Sequence, residues 1–424
     1  MEKVRNLQHD FSILLGFFKK VRGEIQMFLN NLTVVIAAYN RPDSLLRLLD
    51  SLKKAKFKED VIVNLIISID YSEDTRVFEI AESFNWKQGN KQIIKHEKNL
   101  GLKAHILFCG DMTNEHDNII LLEDDLYLSR FFVDYCLKTI EQFSGDKKIA
   151  GISLYNHVYN ETKKLPFDAL KNSRSDVYFM QLPSSWGQIW TKSQWNDFKD
   201  WLKKNEDGKV SGIPSNIENW PSNSWKKLFT AYMVHQNKYF VYPFESLTTN
   251  FGDPGVNFWG KSTKYQSKLL DYEKNYCFVS FENSQAVYDA FCENVRLEKN
   301  IDLDKEICID LYGCKTKTYA EYEYVLTTLP LDLEVYKSYS LELKPWELNI
   351  HKELKGNEIK LYKTNKRNVV INNLSRRENE LRLLEFYYPG FDIQKTLPFI
   401  LSISTYLSLY KKISKKIKIK LEEK

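Results

Sequence analysis

Runs of buried-type apolar residues alternate along this chain with stretches whose leucines recur at helical spacing. No other feature constrains the fold as strongly. Thr33-Val34-Val35-Ile36-Ala37-Ala38-Tyr39 reads as a strand buried on both faces, because its apolar residues follow one another without polar alternation. The turn Asn40-Arg41-Pro42-Asp43 comes next, with a proline placed to open a helix. Leu45, Leu48, Leu49 and Leu52 then recur at i, i+3, i+4 and i+7, the spacing of one helix face. The pattern repeats as a strand from Val61 to Ile69 ending at Asp70, a helix over Thr75 to Phe84 and a strand over Gln92 to Lys95. A helix over Leu102 to Met112, a strand over Asn118 to Leu122, a helix that Ser129 caps and a strand over Ile149 to Leu154 complete it. This order predicts an α/β fold, a mostly parallel sheet with helices on both faces.

The strand Asn118-Ile119-Ile120-Leu121-Leu122 ends in three consecutive carboxylates, Glu123-Asp124-Asp125. Open α/β sheets place their ligand crevices at the carboxyl ends of strands. Three adjacent negative charges repel one another and call for compensation. Two readings are open: a hard divalent cation held through oxygen ligands, or an acidic turn solvated at the surface. The clustering of polar residues favours the cation, since Tyr39 to Arg41, Asp70 and Glu123 to Asp125 all fall at predicted strand ends.

Composition narrows the class. Hydrophobic residues make up 43% and aromatics 14%, which supplies a substantial core. The formal net charge of +5 lies entirely in residues 411–424, with seven lysines against two glutamates, so the remaining chain is neutral and lacks the basic body of a nucleic-acid binder. The six cysteines form no CxxC pair and the seven histidines no HxxxH spacing, which argues against zinc and fits a reducing, cytoplasmic compartment. Met1 to Asp10 is polar and reads as no secretory leader, and no apolar stretch reaches the ~20 residues that span a bilayer.

Residues 1–30 read as an amphipathic lead-in helix carrying Phe11, Leu14, Leu15 and Phe18 on one face. Tryptophans crowd the region after Pro183: Trp186, Trp190, Trp195, Trp201, Trp220 and Trp225. Most of them close the core, and one or two near Trp186 face a sugar, whose apolar ring faces stack on aromatics. Four segments result: 1–30, a site-bearing domain over 31–265, a mixed α/β extension over 266–395, and a tail over 396–424.

The first half resembles nucleotide-sugar glycosyltransferases of the GT-A fold, in particular the N-acetylglucosaminyltransferase I type and bacterial family 2 enzymes. Val35 to Pro42 is similar to their first nucleotide-binding strand and turn, and Ile67-Ser68-Ile69-Asp70 to the second strand and its nucleoside-binding aspartate. Leu121-Leu122-Glu123-Asp124-Asp125-Leu126 is similar to the EDD form of the DxD motif. Ile152 to Asn156 resembles the next strand, Leu182 to Trp190 the acceptor-side loop and strand, and Tyr242 to Asp253 the closing segment. The resemblance implies transfer of a sugar from a nucleoside-diphosphate donor, UDP-N-acetylglucosamine by default, with inversion, to a saccharide or polyprenyl-linked acceptor in bacterial surface-polysaccharide synthesis. It implies Asp125 as ligand of Mn2+ or Mg2+. Glu123 and Asp124 would contact the donor's ribose or sugar, and Ala38, Asn40, Arg41 and Asp70 the nucleoside and diphosphate. Trp186 and Gly187 would lie on the acceptor side. Arg41 either serves the donor or pairs Asp43 at the surface.

Two departures from that family concern the base. Relatives often carry an aspartate beside the tryptophan matching Trp225, whereas the neighbours here are Asn223, Ser224, Lys226 and Lys227; where relatives often carry histidine, this chain has Asn257. Glu218 and Asp253 are the nearest acids in sequence and the candidate bases.

Leu397 to Tyr410 is apolar for 14 residues, and Lys411 to Lys420 then holds six lysines, with Ile413, Ile417 and Leu421 spaced by four. That pattern reads either as a helix docked on an anionic membrane at the inner face of the cell membrane or as a helix solvated or packed on the body. Two rivals stand beside transfer. One is a sugar nucleotidyltransferase, disfavoured because Ala37 to Pro42 lacks glycine; the other is an inactive glycan-binding module.

Overall fold

The computed structural model describes residues 31–390, apart from 172, 206–209 and 254–262, together with residue 410. The expected lead-in helix lies outside these residues, as do Asn257 and, Tyr410 aside, the basic tail. The described chain divides into two units at Asp302/Leu303.

The first unit begins as the alternation predicts. Strand β1 (Asn31–Ala38) is buried throughout except at Asn31 and leads into helix α1 (Pro42–Lys53), which has proline at its first position. Leu45, Leu48, Leu49 and Leu52 are buried on one face of α1, each contributing about 1.5–3 kcal/mol of hydrophobic free energy. Then come β2 (Ile62–Ile69), α2 (Arg76–Ser83), β3 (Lys91–Lys95), α3 (Leu102–Asp111), the single turn α4 (Thr113–His116) and β4 (Asn118–Glu123). Strands β1, β2, β3 and β4 pair in parallel in the order β3-β2-β1-β4. Their carboxyl ends therefore share one edge.

Beyond β4 the structure departs from simple repetition. A three-residue strand β5 (Leu126–Leu128) follows the acids at once, and helix α5 (Phe132–Phe143) starts later than Ser129. Ser129 does not cap α5: its hydroxyl accepts from the Phe131 amide at 3.1 Å and donates to the Leu270 carbonyl at 2.5 Å. Strand β6 (Ile149–Ser153) precedes a short hairpin of β7 (Tyr159–Asn160) and β8 (Leu165–Pro166), then β9 (Val177–Met180) and β10 (Gln188–Thr191). Helix α6 (Lys192–Lys204) opens with a Thr191/Gln194 capping box. The turn α7 (Ser215–Glu218), helix α8 (Trp225–His235), β11 (Tyr239–Pro243), β12 (Thr248–Asn250) and β13 (Val287–Tyr288) complete the unit.

Nine of these strands form one sheet in the order β13-β9-β11-β6-β10-β4-β1-β2-β3. Five neighbouring pairs are parallel and three antiparallel, so the sheet is mixed but mostly parallel. β10 enters antiparallel between β4 and β6. β12 pairs antiparallel with β5 as a separate flap after the acids. β13 adds to the main sheet beside β9, and the first unit runs on to Asp302, beyond residue 265. Of the six tryptophans after Pro183, Trp190, Trp195, Trp201 and Trp225 are core residues, while Trp186 and Trp220 are only half-buried.

The second unit holds a four-stranded sheet, β14 (Ile307–Asp310), β15 (Tyr324–Thr327), β17 (Ile359–Lys363) and β16 (Glu334–Tyr339) in that order, with helices α9 (Glu347–His351) and α10 (Asn373–Tyr387). Cys308, Tyr319, Val325 and Tyr362 form its core cluster. The buried Asp310 accepts from the amides of Cys314 and Lys315 and from the Tyr319 hydroxyl, at 2.7 to 2.9 Å. It is thereby satisfied as a structural carboxylate.

Candidate active site

Parallel register sets the site. Ala38 pairs with Ile69 and Ala37 with Glu123, so the turn after β1 lies between Asp70 on one side and the acid triplet on the other. In this turn the Arg41 guanidinium reaches the acids rather than Asp43. It donates to Asp125 Oδ2 at 2.7 Å and to Asp124 Oδ1. The Tyr39 amide donates to Asp124 Oδ2 at 3.3 Å. Burial alone would lower the Arg41 pKa, but Asp124, Asp125 and Glu123 outweigh it and raise it, so the guanidinium is permanently charged.

The acids differ in what remains open to a ligand. Asp124 is buried and both its oxygens are engaged; burial and the Asp125 charge push its pKa up to about 6 against the pull of Arg41. Glu123 keeps an edge in solvent, and burial, then repulsion by Asp125, push it up to about 8 despite Arg41 and Lys226. Asp125 is 7% exposed, and its Oδ1 is buried with no hydrogen-bond partner. A buried carboxylate oxygen without a partner is costly. Asp124 and Asp125 against one clamping arginine also leave negative charge to be balanced. Both facts fit a divalent cation on Asp125 Oδ1. Among the described residues no three Asp, Glu, His or Cys side chains converge on a common point. A cation there would draw its other ligands from substrate phosphate and water, as magnesium-type sites commonly do.

Asp70 is buried and accepts three main-chain N–H groups, from Tyr71 at 2.9 Å, Leu100 at 2.8 Å and Gly101 at 3.1 Å. It ties the end of β2 to the loop before α3. Asn40 stands exposed at the mouth of the turn, and Ala38 is buried at the end of β1.

On the far side, the antiparallel register Gln188↔Leu121 carries Trp186 and Gly187 to the level of Glu123. Gly187 has φ +90, and a Cβ on it would lie 2.9 Å from Thr248 Cγ2. Only glycine fits there without strain. The Thr248 hydroxyl donates to the Trp186 carbonyl at 2.5 Å, and the Phe251 amide to the Asp125 carbonyl at 3.3 Å. The β5–β12 flap therefore links the acids to the tryptophan. Trp186 packs against Tyr155 and Tyr265, with centroids 4.7 and 4.8 Å away.

The two candidate bases fall in unlike settings. Asp253 accepts from Ser44 Oγ at 2.8 Å and pairs with Arg47, whose guanidinium stacks on Phe251. Burial would raise its pKa, but Arg47 and Ser44 prevail and hold it below the usual carboxylate range. A carboxylate held in that way is a weak proton acceptor. Glu218 is exposed on the single turn α7, and its main-chain carbonyl accepts from Lys227. Sequence reasoning missed Tyr155, Tyr265 and Lys226 as members of this region. Lys226 was visible in sequence only as the lack of an acid beside Trp225.

Residues 33–186 match the family model described as Glycosyl transferase family 2. No curated protein matches the chain. Among solved structures, S. aureus TarS is similar at 15% identity and a TM-score of 0.33, over 51% of this chain and 36% of that one. The 1-349 form of S. aureus TarS in complex with UDP-GlcNAc gives 14% identity, a TM-score of 0.34, and 53% and 59% coverage. Mannosyltransferase PcManGT from Pyrobaculum calidifontis, in complex with GDP-Man and Mn2+, gives 11% identity, a TM-score of 0.29, and 47% and 49% coverage. The chain thus spans 36% of the length of the first of these structures.

Proposed function

We propose that this chain, which carries a Glycosyl transferase family 2 domain over residues 33–186, transfers a sugar from a nucleoside-diphosphate donor to a saccharide or lipid-linked acceptor. The acceptor oxygen bonds to the anomeric carbon as the bond from that carbon to the phosphate oxygen breaks. The hydroxyl proton goes to a base, and the nucleoside diphosphate leaves. The observation that carries the reading is the open, buried Asp125 Oδ1 at the parallel edge, beside a guanidinium that fixes Asp124 and the other oxygen of Asp125.

Mn2+ or Mg2+ held on Asp125 would neutralise charge developing on the leaving diphosphate. Arg41 prevents the acid loop from relaxing into solvent. Asn40 and the loop that Asp70 braces receive the nucleoside. Glu123 meets the donor's sugar, and Trp186 presents an aromatic face to the acceptor. Glu218 is the candidate base with a free approach, while Asp253 positions Arg47 and α1. A UDP-sugar is the donor the sequence resemblance implies. Residues 396–424 would hold the enzyme on an anionic membrane, in keeping with assembly of a bacterial surface polysaccharide on a polyprenyl carrier. Among the described residues no helix is long and apolar enough to cross a membrane.

The test is release of nucleoside diphosphate from a panel of nucleotide sugars with Mn2+. The wild-type chain is expected to turn over at least one donor, and Asp125→Ala to lose at least ~100-fold while unfolding at a similar temperature. An Asp125→Ala chain as active as wild type would rule out cation-assisted transfer at this residue. No release from any donor would leave a binding module instead.

A further inference from the structure

Lys226 and Lys227 occupy the first turn of the 11-residue helix α8, capped by the Ser224 side chain. Cations are disfavoured at that end of a helix. The position of Lys227 has an evident reason, because its ammonium donates to the carbonyls of Glu218 at 2.7 Å and Trp220 at 3.1 Å. Lys226 has no such anchor. Lys226 is half-buried, and its ammonium lies over the ring of Trp186 at 5.2 Å and over that of Trp220 at 5.7 Å. No carboxylate of the described residues forms a salt bridge with it, although its charge reaches Glu123. A second ammonium, Lys264, lies 3.9 Å over Tyr159 and 4.7 Å over Tyr265, beside Trp186, with Glu161 and Lys164 nearby.

The geometry points to an acceptor that bears a carboxylate or phosphate, its sugar ring beside the Trp186–Tyr265 aromatic group and its anion taken by Lys226. This rests on the transfer reading and names the acceptor's chemical class. Covering the ammonium of this half-buried lysine with a neutral sugar removes its water and returns no counter-charge, whereas an anionic sugar supplies one. The donor's own diphosphate would be met elsewhere, by the cation that Asp125 would hold on the far side of the acids. The indoles under Lys226 belong to the opposite, Trp186 side.

Equilibrium binding to the full chain should be measured by saturation-transfer NMR for matched pairs, glucose against glucuronate and glucose against glucose 6-phosphate. Donor turnover is followed in the same samples. The charged member of a pair is expected to bind at least ~10-fold more tightly in low salt, with the preference shrinking as salt screens it. Lys226→Met should abolish the preference and Lys226→Arg should retain it. Equal binding of both members overturns the inference, and so does a preference that survives Lys226→Met. A requirement for UDP-glucuronate over UDP-glucose with no acceptor preference also overturns it, because the charge would then belong to the donor. If the preference holds but no donor turns over, the anion site stands and the transfer reading fails.

Discussion

At the scale of single residues, charge and burial make the sharpest demands. Asp124 and Asp125 are both buried, and Arg41 is the cation that binds the two together. Removing one partner of a buried ionic cluster typically costs about 3–5 kcal/mol. Arg41→Ala should therefore lower the unfolding temperature, and Mn2+ should restore more stability to this variant than to wild type; equal cation effects in the two proteins would contradict the clamp. Two buried histidines carry a separate prediction. Burial, helped by His96, holds His105 at about 4, and burial, helped by Lys226, holds His157 at about 3. The unfolded chain takes up protons at these residues near pH 6.5 while the folded chain refuses them. Stability should thus fall as pH drops from about 6.5, by about 1.4 kcal/mol per unit for each histidine, and level off below their folded values. His157→Phe should reduce that slope by the share of one proton, which urea unfolding at a series of pH values can read. These partnerships were not legible in the sequence. Arg41 lies more than eighty positions from the acids it clamps, and Asp43, the nearer partner in sequence, is not the one it takes.

Among the elements, legibility followed length and periodicity. β1, α1, β2 and β4 could be read because unbroken β-branched runs and a leucine stripe leave few alternatives. β5 and β12 could not, because three residues show no periodicity and their pairing depends on a contact from Leu128 to Thr248. The antiparallel insertion of β10 was likewise hidden, since strand direction leaves no mark on a four-residue apolar run. α5 starts at Phe132 rather than after Ser129 because the serine hydroxyl is spent on the Leu270 carbonyl and the Phe131 amide. Two substitutions test the element-level account. Leu48→Ala should cost about 2–5 kcal/mol in chemical denaturation, because the buried face of α1 cannot refill the void. Gly187→Ala should destabilise by about 1–3 kcal/mol and lower transfer more than Leu48→Ala does. The added methyl meets Thr248, whose hydroxyl holds the Trp186 carbonyl. A Gly187→Ala chain with full activity would show that the flap need not hold Trp186.

On the whole-molecule scale, the first unit runs to Asp302 and includes β13, which pairs with β9. A chain of residues 1–302 should unfold in one cooperative transition, whereas residues 1–265 lack an edge strand and should be less stable; equal midpoints would contradict that boundary. Removal of residues 397–424 should move the protein from the membrane to the soluble fraction, and unchanged fractionation of a folded truncation would reject docking through the tail. The site itself belongs to the assembled sheet, since its parts come from the ends of β1, β2 and β4 and from the β12 flap. In the proposed function, Asp125 offers one open oxygen to a divalent cation when a nucleoside diphosphate is present. Electron paramagnetic resonance of Mn2+ titrated into the full chain with UDP measures this most directly. Saturable binding that weakens at least ~10-fold in a folded Asp125→Asn variant is the expected result, and Mn2+ affinity identical in the two proteins would contradict it.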